Sequence, residues 1–504
     1  MLFNSYIFIF IFLPVTLLGY FGLNHYKRYE LSKLFLALMS LWFYAYFNTY
    51  YLAVIVGSIL VNYLLSFIIS RFENKESSRP DLRRTVFLLT GIILNLAVFI
   101  YFKYLDFIIE NINLLFSSHF RLHNILLPLG ISFFTFQQLS FVIDRARGKA
   151  KHYGFINYIT FVTFFPQLIA GPIVLYEEMM PQFEDIDNKK FNSDNFSKGI
   201  MMFVMGLSKK VLLADVLAGV VNYGFSRALY LDTTSTLLMI LAYTFQIYFD
   251  FSGYSDMAIG LGRMFNINLP VNFNSPYKAC SVKELWQRWH ITLSRFFIKY
   301  VYIPMGGSRR GRARTLFNIF MVFFLSGIWH GANWTYIAWG TMQGLLVVFD
   351  NLGIIGVKGS NDKIEAKIKI PRPIGWIFTF GFFNLSLIFF GSDSIATALQ
   401  LFKNIFAFHN TGYLPKLAAN LNIPETYVIS KFIDMKMPQY NNMLYVIIFI
   451  VLLIISALII RGKNAMEITE SSKFSTKSAL WVSVLLVWCI ISFSQVSTFI
   501  YFNF

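Results

Sequence analysis

Apolar runs long enough, or nearly long enough, to cross a bilayer recur along this chain from end to end. They lie near residues 3–23, 34–49, 51–70, 85–109, 155–173, 199–222 and 236–256, and again near 315–333, 335–352, 374–391, 443–460 and 478–500. The run "NILLPLGISFFTFQQLSFVID" is interrupted by Pro128 and Gly130, so it reads equally as a span or as a re-entrant piece buried in protein. The pattern predicts an all-α polytopic membrane protein. The longest polar stretches, "EEMMPQFEDIDNKKFNSDNFSKG" and 392–442, are too short and too mixed for a soluble core of ordinary size. Residues 1–504 therefore read as one integral-membrane domain, with N-terminal helices to 150, a central region over 151–352 and C-terminal helices from 353.

Composition agrees: 56% of residues are hydrophobic, 19% aromatic and 14% charged, more apolar surface than a soluble core could hide. The net charge of +17 is carried in short Lys/Arg clusters at 27–33, 71–84, 145–151, 309–314, 358–372 and 461–477. Clusters between apolar runs mark cytoplasmic loops rather than a nucleic-acid-binding face. Placing each inside gives a consistent topology over the C-terminal third, with 392–442 outside. The opening run, "MLFNSYIFIFIFLPVTLLGYFG", has no preceding basic residues and no clear small-residue cleavage site, so a retained helix is expected. Cys280 and Cys489 make neither a disulfide framework nor a metal spacing, and metal or redox chemistry is not expected.

A charge at mid-bilayer costs about 2.5–3.5 kcal/mol on insertion scales, so polar groups inside apolar runs are candidate functional positions. Three stretches concentrate them. In "YTFQIYFDFSGYSDMAIGLGRMF", Asp250, Ser252, Ser255, Asp256 and Arg263 follow an aromatic span with no loop composition between them. Gly253, Gly260 and Gly262 there permit close packing or a broken helix. The carboxylates either form a helix-locking ion pair or orient a reactive group along an aqueous path.

In the second stretch, "PVNFNSPYKACSVKELWQRWHITLSRFFIKYVYIPMGGSRRG", Asn272, Asn274, Pro276 and Tyr277 read as an irregular loop. Ser281 and Glu284 then form a capping-box signature. Trp286, Trp289, Leu293 and Phe296 recur at helical spacing, with Gln287, Arg288, Arg295 and Lys299 opposite. This predicts one amphipathic helix at or dipping into the membrane interface, with His290 and Ser294 at its border. Gly306 and Gly307 predict a tight turn before the arginines.

The third stretch is "FLSGIWHGANW". His330 lies about sixteen residues beyond Arg314, roughly 24 Å at the helical rise, and so deep in the bilayer or near its far side. Ser326, Gly327, Gly331, Ala332 and Asn333 keep its neighbourhood small and polar, open to close approach by a substrate. His25, His119, His123, His152 and His409 fall in or beside loops, leaving His290 and His330 placed for shared chemistry. An imidazole can take a proton from an alcohol or thiol during acyl transfer. No GxSxG sequence is present, so a serine hydrolase is poorly supported. The residues alone lead to a membrane-embedded acid/base site.

The segment from "AYTFQIYFDFSGYSDMAIGLG" to "YIPMGGSRRG", with "LSGIWHGANWTYIAWG" and the terminal "FIYFNF", resembles the membrane-bound O-acyltransferase family. The likeness is densest over 242–342 and is to the bacterial branch that O-acetylates alginate and peptidoglycan. The resemblance implies a ring of about eleven transmembrane helices with re-entrant segments and a central tunnel. It also implies that His330 of the WHG motif is catalytic, that His290 of the RWH motif assists, and that Asp250, Asp256, Arg288, Trp289, Ser294, Trp329 and Asn333 line or support the tunnel. The implied reaction moves an acetyl group from a cytoplasmic thioester, acetyl-coenzyme A or another, to a glycan hydroxyl outside, with no bound cofactor. Membrane lipid, an extracytoplasmic partner protein and a polysaccharide acceptor are the implied partners, and the bacterial cytoplasmic membrane the implied location. D-alanyl transfer from a carrier protein, a transporter or flippase, and a scaffold for polysaccharide synthesis are the alternatives. A transporter is disfavoured by the lack of a visible internal repeat.

Overall fold

A computed structural model describes residues 1–72, 82–149, 154–358, 366–423, 425, 427–472, 475–495 and 499–500. The chain is an all-α polytopic membrane protein: among the described residues the only sheet is one parallel pair, Ile355–Val357 with Ile368–Ile370. Among the described residues, six helices are long and apolar enough to cross a membrane: Phe8–His25, Thr49–Arg71, Leu82–Phe116, Arg312–His330, Arg372–Gly391 and Pro438–Arg461. Thr476–Ile491 is a shorter apolar helix. The chain forms two compact units, one of Met1–Phe203 with Ser255–Val271, the other of Val204–Tyr254 with Asn272–Phe504.

One predicted element differs from the pattern, and a second is interrupted where Pro128 and Gly130 suggested. The run at 155–173 is not one helix: Phe155–Thr163 stops at Phe164 and a short Phe165–Leu168 turn follows. Pro166 has no N–H to continue the ladder, and the Gln167 side chain donates to the Phe161 carbonyl at 2.8 Å near the break. The run around 125–143 resolves as an extended approach, a left-handed Gly130 and the Ile131–Ala146 helix, 13 of whose 16 residues are buried. That helix is enclosed by protein, as its Gln137, Gln138 and Ser140 require.

Within the first unit, polar side chains bind helices where apolar packing alone gives no driving force in lipid. Asn62 and Asn95 exchange amide hydrogen bonds of 2.6 and 3.1 Å between Thr49–Arg71 and Leu82–Phe116. Lys33, fully buried, reaches Asn157 at 2.8 Å, Glu184 at 2.9 Å and Glu30 at 2.6 Å.

In the second unit, Arg312–His330 and Trp334–Asn351 form a tight helical hairpin joined by Gly331, Ala332 and Asn333. Its helices touch backbone to backbone. A Cβ on Gly327 would lie 2.6 Å from the Tyr336 carbonyl oxygen and 2.8 Å from the Gly340 Cα. Gly340 and Gly344, four residues apart, form a small-residue stripe against Phe323 and Phe320. Gly340→Leu is therefore expected to cost about 1–3 kcal/mol through overpacking. Gly344→Ala, whose added atom meets neighbours at 3.2 Å, should be much milder. Thermal unfolding in detergent checks the order, and equal midpoints for the two variants would refute this packing.

Candidate active site

The Arg312–His330 helix begins at an exposed arginine turn and ends at His330, roughly 28 Å away along its axis. The turn is the predicted one. Gly306 and Gly307 take φ of 106° and 55°, and Asn318 donates to the Gly307 carbonyl at 2.9 Å. At the other end His330 is buried, with its ring centroid 4.9 Å from Trp329, 5.1 Å from Trp339 and 5.2 Å from Phe390. A Cβ on Gly331 would overlap the Tyr336 ring, which itself packs edge-on against Phe390. The glycines around His330 thus serve close packing, and the imidazole stands in an aromatic enclosure.

His290 enters the same cluster from a different direction. The predicted amphipathic helix is in fact two short helices, Val282–Arg288 and Ile291–Phe297, broken at Trp289 and His290. His290 adopts the left-handed conformation, φ 46° and ψ 51°, which turns the chain between them. Ser281 caps the first helix by accepting from the Glu284 N–H at 3.1 Å, while the Glu284 carboxylate reaches back to the Cys280 N–H at 2.9 Å. The spacing of Trp286, Trp289, Leu293 and Phe296 looked helical because all four are buried, but Trp286 lies on the first helix, Trp289 in the break, and Leu293 and Phe296 on the second.

The hydrogen bonds around His290 fix its tautomer. Asn272, fully buried, accepts from the Thr292 N–H at 3.3 Å and its hydroxyl at 2.9 Å, so the atom they share is the amide oxygen. His290 Nδ1 lies 3.1 Å from that oxygen and must therefore donate to it. In the neutral ring this leaves Nε2 as the lone pair. Burial pushes the His290 imidazole down to about 3, which keeps it neutral. Its ring packs edge-on to Phe251 at 4.7 Å and lies 6.1 Å from Trp329, so one indole contacts both histidines.

The other expected residues are distributed as follows. Trp289 packs among Tyr248, Phe273, Tyr277 and Phe383 behind His290. Arg288 pairs with Glu284 at 2.9 Å, and Ser294 sits 3.5 Å from the Trp286 carbonyl. Asn333 caps the Trp334–Asn351 helix and donates to the Asp393 carbonyl at 2.8 Å. Asp256 is buried within the first unit. Asp250 forms an ion pair of 2.7 Å with Lys210, which also meets Asp215 at 2.7 Å; all three are buried. The other Asp250 oxygen accepts from the Ile500 N–H at 2.9 Å. The tail beyond Ile500, part of "FIYFNF", lies outside the described residues, as does His152. Among the described residues no three His, Cys, Asp or Glu side chains gather to hold a metal ion.

The profile of the membrane-bound O-acyltransferase family matches residues 122–392, more than half of the sequence and the whole of this histidine cluster. The chain belongs to the membrane-bound O-acyltransferase family. It is therefore an O-acyltransferase. A peptidoglycan O-acetyltransferase of Helicobacter pylori is 38% identical over 100% of this chain and 98% of its own length. A probable alginate O-acetylase of Pseudomonas aeruginosa is 36% identical over 81% of this chain and 75% of its own. A teichoic acid D-alanyltransferase of Streptococcus thermophilus is 27% identical over 52% and 68% respectively.

Sequence reasoning passed over Asn272 as a loop residue and missed Lys210 and Asp215. The signal for the last two was present, since "SKKVLLAD" places charges within an apolar run. Lys210→Met should cost about 3–5 kcal/mol by leaving buried carboxylates uncompensated. Adding Asp215→Asn and Asp250→Asn should recover most of it, and failure to recover would show that the triad is not a single electrostatic unit. At the histidines, Asn272→Ala should lower acyl transfer about tenfold or more by freeing the His290 ring. His290→Gln should slow the reaction without moving the acid limb of the pH–rate profile, because His290 does not titrate in the working range. A shifted limb would contradict the neutral assignment.

Proposed function

We propose that the chain transfers an acetyl group from a thioester on the cytoplasmic side to hydroxyls of a cell-envelope glycan, with His330 as the general base. The observation that carries this reading is the position of His330, in an aromatic enclosure at the end of a helix that begins in an exposed arginine turn. Likeness over its full length to a peptidoglycan O-acetyltransferase supports acetyl as the group and a wall glycan or exopolysaccharide as the acceptor class. The bacterial cytoplasmic membrane is the compartment in which such a donor and acceptor lie on opposite sides.

In this scheme the acceptor hydroxyl attacks the thioester carbonyl while its proton passes to the His330 imidazole. The C–O bond forms, the C–S bond breaks, and the imidazolium returns the proton to the leaving thiolate. His290, neutral and oriented by Asn272, presents Nε2 as a hydrogen-bond acceptor that orients donor or acceptor in the same cluster. The exposed Arg309, Arg310, Arg312 and Arg314 offer charge-assisted contacts to coenzyme phosphates. In this scheme delivery to polymer is completed by a separate extracytoplasmic partner protein.

Purified protein in nanodiscs, supplied with radiolabelled acetyl-coenzyme A or with a carrier-bound acyl thioester, separates this from D-alanyl-type chemistry. Turnover with acetyl-coenzyme A, lowered roughly 10²- to 10⁴-fold in His330→Ala, is the expected result. Turnover only with the carrier thioester would overturn the acetyl donor, and full activity of a folded His330→Ala would overturn the catalytic assignment. Neutralising Arg309 and Arg310 should raise KM for the coenzyme thioester more than it lowers kcat.

A further inference from the structure

The second unit holds a groove of about 620 Å³ that none of the histidine cluster lines. Its walls are Leu452, Ile455 and Ile459 of the Pro438–Arg461 helix, with Trp481 and Leu485 of Thr476–Ile491 facing them. Ile455, Ile459, Trp481 and Trp488 are 42–47% exposed, so the groove opens sideways along helices whose apolar surface belongs in lipid. Its lining is mostly apolar but includes Lys209, Asp215, Glu425 and Lys463.

At one end Glu425 already accepts the Trp488 indole N–H at 2.7 Å and the Ser492 hydroxyl at 3.0 Å. Asp215, also in the wall, is engaged by Lys210. The lysines that line the groove are Lys209 and Lys463. Lys463 lines the groove where the Pro438–Arg461 helix ends, and Lys278 donates to the neighbouring Gly462 carbonyl at 2.6 Å. Lys463 stands at the start of the basic 461–477 segment, which the distribution of Lys and Arg assigns to the cytoplasmic side.

We infer that this groove binds an anionic phospholipid of the cytoplasmic leaflet, its phosphate at Lys463 and Lys278 and an acyl chain along Leu452, Ile455 and Leu485. A basic pocket between membrane helices at the cytoplasmic face is the chemistry that recognises such headgroups, and the volume is that of a ligand site. The inference does not depend on the acyl-transfer reading.

The full chain, stripped of lipid in excess detergent, is offered dioleoylphosphatidylglycerol, dioleoylphosphatidylcholine or glycerophosphoglycerol, and retention is read by native mass spectrometry. One phosphatidylglycerol per chain should be held in preference to phosphatidylcholine, and glycerophosphoglycerol should not be held. Exposed Lys463→Glu should reduce phosphatidylglycerol retention about fivefold or more, whereas Lys463→Arg should keep it. Ile455→Trp, which fills the groove, should reduce retention of both lipids. Equal retention of the two lipids by the wild type, retention unchanged in Lys463→Glu and Ile455→Trp, or equal binding of glycerophosphoglycerol would each overturn the site.

Discussion

The contact between Gly327 and Gly340 is the one on which the histidine cluster depends. Two helices without side chains at their crossing can approach until backbone meets backbone, and the Arg312–His330 and Trp334–Asn351 hairpin does so. That approach brings Trp339 to 5.1 Å from His330 and lets Gly331 lie against Tyr336. Larger residues would splay the hairpin and open the enclosure. An imidazole in an aromatic, water-poor environment then has its interactions set by protein groups rather than solvent, which is the condition under which a positioned base is most effective.

The second constraint is the cost of polarity inside hydrocarbon. Lys210 with Asp215 and Asp250, Lys33 with Glu30, Glu184 and Asn157, and the Asn62–Asn95 pair each satisfy buried polar groups by pairing them. His290 follows the same rule through Asn272, and the result is chemically informative because it fixes which ring nitrogen carries the proton. One amide oxygen accepts from both Thr292 and His290. It therefore holds the break between two helices and the orientation of an imidazole with the same bonds.

The sequence made the fold class legible because apolar length is a direct physical requirement of a bilayer. It also drew attention to His330, through depth and small neighbours, and to His290, at the border of an amphipathic stretch, before the family likeness proposed a role for each. What it misread were places where burial imitates periodicity. Trp286, Trp289, Leu293 and Phe296 recur as on one helix, yet the chain turns at His290 through a left-handed residue that no spacing reveals. Lys210 went unnoticed although "SKKVLLAD" sets it and Asp215 inside an apolar run, and its tie to Asp250, 40 residues away, leaves no local pattern. Asn272 likewise acts on a residue 18 positions further on.

The central claim is that His330 is where the acyl group changes hands. Its most direct test is the structure of the protein in nanodiscs with a non-hydrolysable thioether analogue of acetyl-coenzyme A. The account predicts the analogue's carbonyl within the enclosure of Trp329, Trp339 and Phe390, within hydrogen-bond reach of the site a hydroxyl would share with His330, and its phosphates at the 309–314 turn. An analogue bound with its carbonyl away from both histidines, and that enclosure unentered, would contradict it.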